Sequence, residues 1–480
     1  MRLTAKPLVT CWPALPLVVT TLAFAGDLRL VDAARHQDRD AVRTLLQQHI
    51  DVNAAQDDGA TALHWAAYFD DAAIADLLIR AHANMNAANE LGVTPLALAS
   101  SIGMVEKLLA AGANPNLAGA NGESPLMEAS RSGRLEIVKA LLEHGAEVNA
   151  RENVRGQTAL MWAVSQKHVD VVQMLLEHGA DVHARTRSNP QLFYTGEPSG
   201  AGRNAADWQM RTIDRGGSTA LMFAARQGDV ASARVLLAAG ARPNDVAPDG
   251  TGALVLASYS GHGDVAALLL SKDANPNLPD AGYTALHTAV LRGDLELVRT
   301  LLKYGANPNA RITQGTAITR EGEDWVLPTP LIGATPFFLA AKYLEVEIMR
   351  ALADVGADPR LATMDGNTPL MAAAGIGWGG GVDRRGRDTT RLGEVAIHDE
   401  DRALEAAKLA LDLGADANAV NETGDTALHG ASNKGYNTLV QQLAEKGARL
   451  DAKNKRGRTP LTGAKNSTAD LLRKLGAKEY

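Results

Sequence analysis

Apolar positions along most of the chain fall into pairs of short helical stripes. In a typical unit the second stripe contains Leu295, Leu301 and Leu302, whose spacing is that of one helix face. A glycine follows each stripe, Gly293 after the first and Gly305 after the second. Helices often end at a residue in the left-handed conformation, which glycine adopts readily. Residues rich in Asn, Asp and Pro then provide a tight turn. The pattern predicts a helix–turn–helix unit that is closed by a polar turn.

The unit recurs along the chain with a period of 33 residues. Its first helix opens with Thr, then Ala or Pro, then Leu. The Thr hydroxyl can cap the helix, and Ala or Pro suits the first helical position. Copies of this opening, some with small variations, begin at Thr61, Thr94, Ser124, Thr158, Thr219, Gly252, Thr284, Thr335, Thr368, Thr426 and Thr459. Because one helix pair cannot bury both of its apolar faces alone, neighbouring units are expected to stack.

In its period and its openings the chain resembles the ankyrin repeat family. The Thr-Ala-Leu-His openings at Thr61, Thr284 and Thr426 carry the resemblance, which covers nearly all of residues 27–477. It implies an all-α solenoid of about 11–12 helix–turn–helix repeats. It also implies that partners bind a concave face, formed by the turn before each opening and by the exposed end of each first helix.

The spacing of the openings divides the chain into segments. These are a signal peptide at 1–25, an N-terminal capping repeat at 26–57, repeats at 58–185, 216–312 and 332–454, and a C-terminal capping repeat at 455–480. Three long spacings predict insertions at 186–215, 313–331 and 376–401. The first two are expected in turns between repeats, and the third between the two helices of one repeat. The repeat that begins at Thr94 is short, which predicts a trimmed first helix or turn.

The first 25 residues have the features of a secretory signal peptide. Arg2 and Lys6 precede a largely apolar run, and a small-x-small pattern ends at Ala25. Pro13 interrupts the run, so a stable membrane span is disfavoured. The segment predicts an exported protein, periplasmic or secreted, and a leader of this style favours a bacterial source. Because Cys11 is the single cysteine, cleavage would leave a chain without disulfides or thiolate metal sites.

Composition narrows the possible functions. The net charge is −7 and no basic block occurs, which argues against nucleic-acid binding. We find no metal-binding, nucleotide-binding or catalytic motif in its required context, so no cofactor or metal is expected. Residues 375–380 match GxGxxG, but a predicted helix precedes them where dinucleotide binding requires a strand, and a flexible insertion is favoured.

Exposed aromatic and arginine side chains are the candidate contacts, because such residues often dominate interfaces. The resemblance places these residues on the concave face: Tyr68, Phe69, Arg131, Arg226, Tyr259, Tyr283, Arg292 and Tyr343. Each insertion contains one tryptophan that either anchors the insertion or contacts a partner: Trp208, Trp325 and Trp378. By contrast, Trp65, Trp162 and Phe223 are expected to pack between repeats.

The leading hypothesis is a non-enzymatic, monomeric scaffold that binds a protein partner outside the cytoplasm. One alternative is an exported effector that acts inside a host cell. The other is an enzyme that uses charged residues clustered at the third insertion: Asp383, Arg384, Arg385, Glu394, His398 and Glu400.

Overall fold

The computed structural model describes residues 27–194, 210–278, 281–314, 331–377 and 400–478. The chain divides into two compact units, Met1–Leu117 and Ala118–Tyr480. Within the described residues both units are built from pairs of short antiparallel helices, which confirms the all-α repeat architecture.

Unit 1 contains six helices. They are α1 (Arg29–Arg35), α2 (Arg39–Gln47), α3 (Ala62–Tyr68), α4 (Ala72–Arg80), α5 (Pro95–Leu98) and α6 (Ile102–Ala110). The first helices α1, α3 and α5 pack side by side, and α2 packs on α4 in a second layer. Helix α5 has only 4 residues, which confirms the trimmed first helix of the repeat at Thr94.

Unit 2 begins with four helices, a two-stranded sheet and six further helices. These elements are α7 (Pro125–Arg131), α8 (Leu135–Glu143), α9 (Ala159–Ser165), α10 (Val169–Glu177), β1 (Ser188–Tyr194), β2 (Met210–Gly216), α11 (Ala220–Gln227), α12 (Val230–Ala238), α13 (Ala253–Ser260), α14 (Gly263–Leu270), α15 (Ala285–Arg292) and α16 (Leu295–Lys303). The unit continues with α17 (Pro336–Lys342), α18 (Val346–Ala353), α19 (Pro369–Ala373), α20 (Glu400–Asp412), α21 (Ala427–Lys434), α22 (Asn437–Glu445) and α23 (Asn466–Leu475).

The first helices of unit 2 form one layer and the second helices another. Consecutive first helices from α7 to α21 pack against each other, and consecutive second helices from α8 to α22 do the same, with α23 completing that layer. Small side chains such as Ala289 and Ala340 are fully buried between first helices and allow their close approach. Larger apolar side chains such as Leu301 and Phe337 fill the space between the layers.

A β-hairpin in the first predicted insertion is the departure from the expected all-α fold. Strands β1 and β2 pair antiparallel, with Ser188 opposite Gly216 and Tyr194 opposite Met210. At the hairpin base Gly216 has a φ of 111°, and a Cβ there would lie 1.9 Å from the carbonyl oxygen of Arg187. Only glycine therefore fits at this position.

Arg185 holds the base of that hairpin against the next two repeats. Its Nη1 donates to the carbonyl of Gly217 at 3.1 Å and to the carbonyl of Val246 at 2.7 Å. Its Nη2 lies 3.3 Å from Oδ2 of Asp245. One side chain thus closes the insertion and joins it to a turn 61 residues away.

Arg311 has the equivalent role at the second predicted insertion. Its Nη1 donates to the carbonyls of Gly333 at 3.3 Å and Ala362 at 2.9 Å. Backbone hydrogen bonds from Ile312 to Ala334 at 2.9 Å and from Gly333 to Ile312 at 2.7 Å join the two sides of the insertion. The helix pairs before and after the insertion pack directly against each other, α15 on α17 and α16 on α18.

A ladder of asparagine side chains joins the polar turns of successive repeats. Asn277 Oδ1 accepts the backbone N–H of Asn307 at 2.7 Å, and its Nδ2 donates to the carbonyl of Gly305 at 2.8 Å. That carbonyl follows the end of α16, where helix carbonyls lack intrahelical partners. The same pair of bonds is made by Asn86, Asn149, Asn244, Asn309 and Asn418.

We expect Asn277→Ala to lower the free energy of unfolding by about 1–3 kcal/mol, because it removes two intramolecular hydrogen bonds. Urea denaturation followed by circular dichroism measures the loss. Asn277→Asp is the matched control, since it keeps the acceptor and loses the donor, and Asp451 already accepts the N–H of Lys478 in the last repeat. The aspartate variant should lose about half as much, and an alanine variant as stable as wild type would contradict the ladder.

Candidate protein-binding surfaces

An exposed aromatic cluster lies at the end of α3 in unit 1. Tyr68 is the last residue of the helix and is 58% exposed, and Phe69 follows it and is 38% exposed. The two rings meet edge to face at a centroid distance of 5.0 Å. Trp65, one turn earlier, stacks on Phe69 at 5.9 Å and meets Tyr68 edge to face at 6.1 Å. The structure therefore brings two predicted contact residues together on one half-buried indole.

Two polar side chains fix the orientation of Trp65. The Arg35 guanidinium, from the end of α1, lies over the indole at 5.1 Å from its centroid, within the range of a cation–π interaction. The indole Nε1 donates to Oε1 of Gln56 at 3.1 Å. Because the polar edge of the indole is satisfied and one face carries a cation, Trp65 is a rigid support for Tyr68 and Phe69.

The turn before α3, which contains Gln56, is acidic. Gln56, which binds Trp65, is followed by Asp57 and Asp58, and both carboxylates are exposed. The carbonyl of Asp58 accepts the backbone N–H of Glu90 at 2.9 Å, so the next turn brings a third exposed acid to the same edge. Leu91, beside it, is 67% exposed. Aromatic rings and carboxylates thus occur on connected parts of unit 1.

Arg131, the predicted contact residue at the end of α7, packs in the same way in unit 2. Its guanidinium lies 5.1 Å from the Trp162 centroid, and Trp162 Nε1 donates to Oε1 of Gln157 at 3.1 Å. Arg131 also pairs with Glu128 at 2.5 Å. Trp162 is only 8% exposed, which agrees with its expected packing role. The exposed part of this arrangement is the Arg131–Glu128 pair.

Arg226, Tyr259 and Arg292 occur at the ends of three consecutive first helices. The carbonyl of Arg226 accepts a bond from Nε2 of His262 at 3.0 Å, and Arg292 Nη1 donates to the carbonyl of Tyr259 at 3.0 Å. Arg226 is exposed, whereas Tyr259 and Arg292 are half-buried. Arg292 therefore joins neighbouring repeats as well as facing solvent.

Tyr283 lies in the turn before α15 and is half-buried. Burial, with a smaller contribution from the negative charge of Asp249, raises the pKa of its phenol to about 12. The hydroxyl therefore stays protonated and can donate a hydrogen bond throughout the physiological range.

Tyr343 follows α17 and is half-buried beside a lysine. Lys342 Nζ lies 5.9 Å from the centre of its ring and donates to the carbonyl of Gly377 at 2.9 Å. Burial, and then the positive charge of Lys434, lower the pKa of Lys342 to about 8. Lys342 and Lys434 therefore lie close enough for their charges to interact.

Several predicted residues lie outside the described residues. They include all three insertion tryptophans, Trp208, Trp325 and Trp378, and also Asp383, Arg384, Arg385, Glu394 and His398. Of the charged residues proposed for an enzymatic role, Glu400 is described, and its Oε1 accepts the backbone N–H of Thr438 at 2.5 Å. Across the described ranges no group of three or more His, Cys, Asp or Glu is arranged to hold a metal ion.

Three of the residues that orient the two tryptophans, Arg35, Gln56 and Gln157, were not predicted from the sequence. None of the three belongs to a repeat opening or to a predicted contact position. A comparison between repeats could have found them, because both tryptophans follow a glutamine in the preceding turn and an arginine at the end of the preceding first helix.

These elements and their repeat spacing define the class of protein. A family model described as "Ankyrin repeats (3 copies)" matches residues 30–118, 96–186, 221–312 and 395–478, which together are more than half of the chain. The chain belongs to the ankyrin repeat family.

Among individual proteins, the chain is 29% identical over 237 residues to human Ankyrin repeat and SOCS box protein 16, covering 46% of this chain and 48% of the relative. It is 30% identical over 204 residues to the mouse B-cell lymphoma 3 protein homolog, covering 40% and 42%. It is 40% identical over 97 residues to a putative ankyrin repeat-containing protein of Treponema pallidum (strain Nichols), covering 20% and 33%. The chain thus spans less than half of the length of each of these relatives.

In the part of the chain that the structure describes, every helix is too short or too polar to cross a bilayer.

Proposed function

We propose that the chain is a non-enzymatic, monomeric scaffold that binds a protein partner through the ends of its first helices and the adjoining turns, the concave face of the family. The aromatic cluster of unit 1 carries this proposal. Tyr68 and Phe69 are large, partly apolar side chains that remain exposed on a rigid indole support. Tyrosine, tryptophan and arginine contribute most of the binding energy in many protein interfaces. A surface of this composition favours recognition of another protein.

Membership of the ankyrin repeat family supports the same conclusion. A repeat stack presents the ends of many equivalent helices to solvent, which suits it to extended contacts with a macromolecule. In unit 2, exposed Arg131 and Arg226 provide further contact side chains at equivalent helix ends.

We also infer that the protein is exported and acts in the periplasm or after secretion, as expected for a bacterial leader. Arg2, Lys6, the apolar run and the small-x-small pattern ending at Ala25 support this inference. Sequencing the N-terminus of the protein recovered from its source should show Gly26 as the first residue. An intact Met1 would contradict export by this route.

Capture of partners from an exported-protein fraction tests the scaffold. The bait is the full chain, and the test variant carries alanine at five helix-end positions: Tyr68, Phe69, Arg226, Tyr259 and Tyr343. We expect proteins that the wild-type chain retains to be lost from this variant. Circular dichroism and thermal denaturation establish that the variant is folded.

The matched control carries alanine on the second helices, at exposed residues of surface ion pairs that contribute little to stability: Arg43, Arg299 and Glu347. This control should retain the same partners as wild type. Unchanged capture by the five-alanine variant would overturn the proposed binding surface.

A further inference from the structure

The chain contains two copies of one arginine–tryptophan–glutamine arrangement. In unit 1 the Arg35 guanidinium lies 5.1 Å from the Trp65 centroid, and in unit 2 the Arg131 guanidinium lies 5.1 Å from that of Trp162. Each indole Nε1 donates to a glutamine oxygen at 3.1 Å. The two copies can therefore be compared with each other. Features that both copies share are explained by packing of the tryptophan, and a feature found in one copy requires another explanation.

The copies differ in the residues that follow the tryptophan. Helix α3 ends with Tyr68 and is followed by Phe69, whereas α9 ends with Ser165 and is followed by Gln166. Ser165 donates its hydroxyl hydrogen to the carbonyl of Trp162 at 2.8 Å, and Gln166 is exposed. Packing of the tryptophan thus does not require aromatic residues at these positions. Two additional rings at 58% and 38% exposure are better explained by contact with a partner.

The charges on the turns before α3 and α5 indicate the chemistry of that partner. Asp57, Asp58 and Glu90 are exposed on the turns that precede α3 and α5, and the sequence has no Lys or Arg between Arg43 and Arg80 or between Arg80 and Lys107. Two cations lie nearby: Arg35 lies over Trp65, and Arg39 is paired with Asp71 at 3.1 Å. Tyrosine and phenylalanine rings attract cations through their faces, and the carboxylates add to this attraction.

We propose that Tyr68 and Phe69, together with the acidic edge formed by Asp57, Asp58 and Glu90, bind an extended basic segment of a partner protein. The charged groups of Lys or Arg side chains in the segment contact the rings and the carboxylates, and the aliphatic parts of the same side chains cover the exposed apolar surface. This inference rests on the proposed scaffold function and adds the chemical class of the partner.

Fluorescence anisotropy with labelled peptides tests the proposal on the full chain. The probes are three peptides of equal length in which glycine alternates with arginine, with glutamate or with serine. We expect the arginine peptide to bind most tightly, the serine peptide to bind weakly, and the glutamate peptide not to bind. Equal affinity for the arginine and glutamate peptides would overturn the assignment of a basic partner.

Variants separate the aromatic contribution from general charge attraction. The double variant Tyr68→Ser with Phe69→Gln copies the residues of α9, so it should fold normally. We expect it to weaken binding of the arginine peptide about tenfold, equivalent to about 1.4 kcal/mol. The matched control, Ser165→Ala with Gln166→Ala, should leave Kd unchanged. An unchanged Kd in the Tyr68/Phe69 variant would overturn the role of the rings.

A second variant tests the acidic edge independently of the rings. Asp57→Asn with Glu90→Gln keeps side-chain size and removes two charges. It should weaken binding of the arginine peptide and reduce its dependence on salt, because exposed charge pairs are screened. If the chain does not prefer the arginine peptide but the five-alanine variant still loses its partners, the scaffold function is supported and the basic-segment inference is wrong. If the five-alanine variant keeps its partners, the scaffold surface itself is wrong.

Discussion

Replacing Leu301 by alanine is expected to lower the free energy of unfolding by about 2–5 kcal/mol, the usual cost of a cavity at a buried leucine. Leu301 has 0% exposure and lies on α16, which packs against α14, α15 and α18. Removing its side chain therefore leaves a cavity at the junction of neighbouring repeats. Repeat interfaces supply much of the stability of a repeat stack, so the loss should weaken the array as well as the local helix pair.

Urea denaturation measures the total effect, and hydrogen exchange of α15 and α16 shows where stability is lost. Leu302→Ala is the matched control, because Leu302 is its neighbour on the same helix and is only half-buried. We expect a clearly smaller loss for this control. A loss below about 0.5 kcal/mol for Leu301→Ala, a value typical of surface substitutions, would contradict its place in the core.

Acid is expected to destabilise the protein through its buried histidines. His287 Nδ1 accepts the backbone N–H of Thr284 at 3.1 Å, and its Nε2 donates to the carbonyl of Ala310 at 3.1 Å. A neutral imidazole makes both bonds, but protonation of Nδ1 would place a hydrogen against the Thr284 N–H. Burial of the fully enclosed ring lowers the pKa of His287 from 6.5 to about 4. Burial also lowers the pKa values of His64 and His429, which make the same contacts.

The direction of the pH effect follows from these pKa values. Because the folded state binds the proton less readily than the unfolded state, the contribution of His287 is complete above its ordinary pKa of 6.5 and is lost as the pH falls towards 4. Each pKa unit corresponds to about 1.4 kcal/mol, so His287 alone should remove roughly 3 kcal/mol over this window.

Unfolding free energies of the wild-type chain and His287→Met, measured between neutral pH and pH 4, test this account. Methionine is the matched replacement, because Met371 occupies the same helix position and its sulfur lies 3.5 Å from the N–H of Thr368. The variant should show a shallower loss of stability in acid. The same pH dependence in both proteins would exclude His287 as the source.

The sequence predicted the repeat fold because its determinants are local. The Thr openings cap first helices as expected: Thr94, Ser124, Thr158, Thr335 and Thr368 accept backbone N–H groups in the first turn. Gly228, Gly261, Gly293 and Gly435 end first helices in the left-handed conformation. Each of these features depends on residues within a few positions of one another, so periodicity and turn chemistry reveal them.

Features that depend on contacts between repeats could not be predicted in the same way. The asparagines were expected only to form turns, yet Asn277 also bridges to the turn 30 residues later. Arg185 and Arg311 lie just before two predicted insertions, but their hydrogen-bond partners are carbonyls in later repeats. The β1–β2 hairpin was also not anticipated, because its pairing joins residues on opposite sides of residues 195–209.

The helix positions of the candidate contact residues were predicted from the sequence, but their neighbours and their burial were not. The structure joins Tyr68 and Phe69 to Trp65 and shows that Tyr259, Tyr283 and Arg292 are half-buried, which helix position alone could not indicate. The segment boundaries and the roles of Trp208, Trp325 and Trp378 stay predictions.

Photocrosslinking is the most direct test of the central claim, that partners bind at the ends of the first helices. A benzophenone-bearing phenylalanine replaces Tyr68 in one protein and Arg299, on the exposed face of α16, in another. The account predicts that the residue at the Tyr68 position crosslinks a partner from the exported-protein fraction and that the residue at the Arg299 position does not. Crosslinking only from the Arg299 position would contradict it.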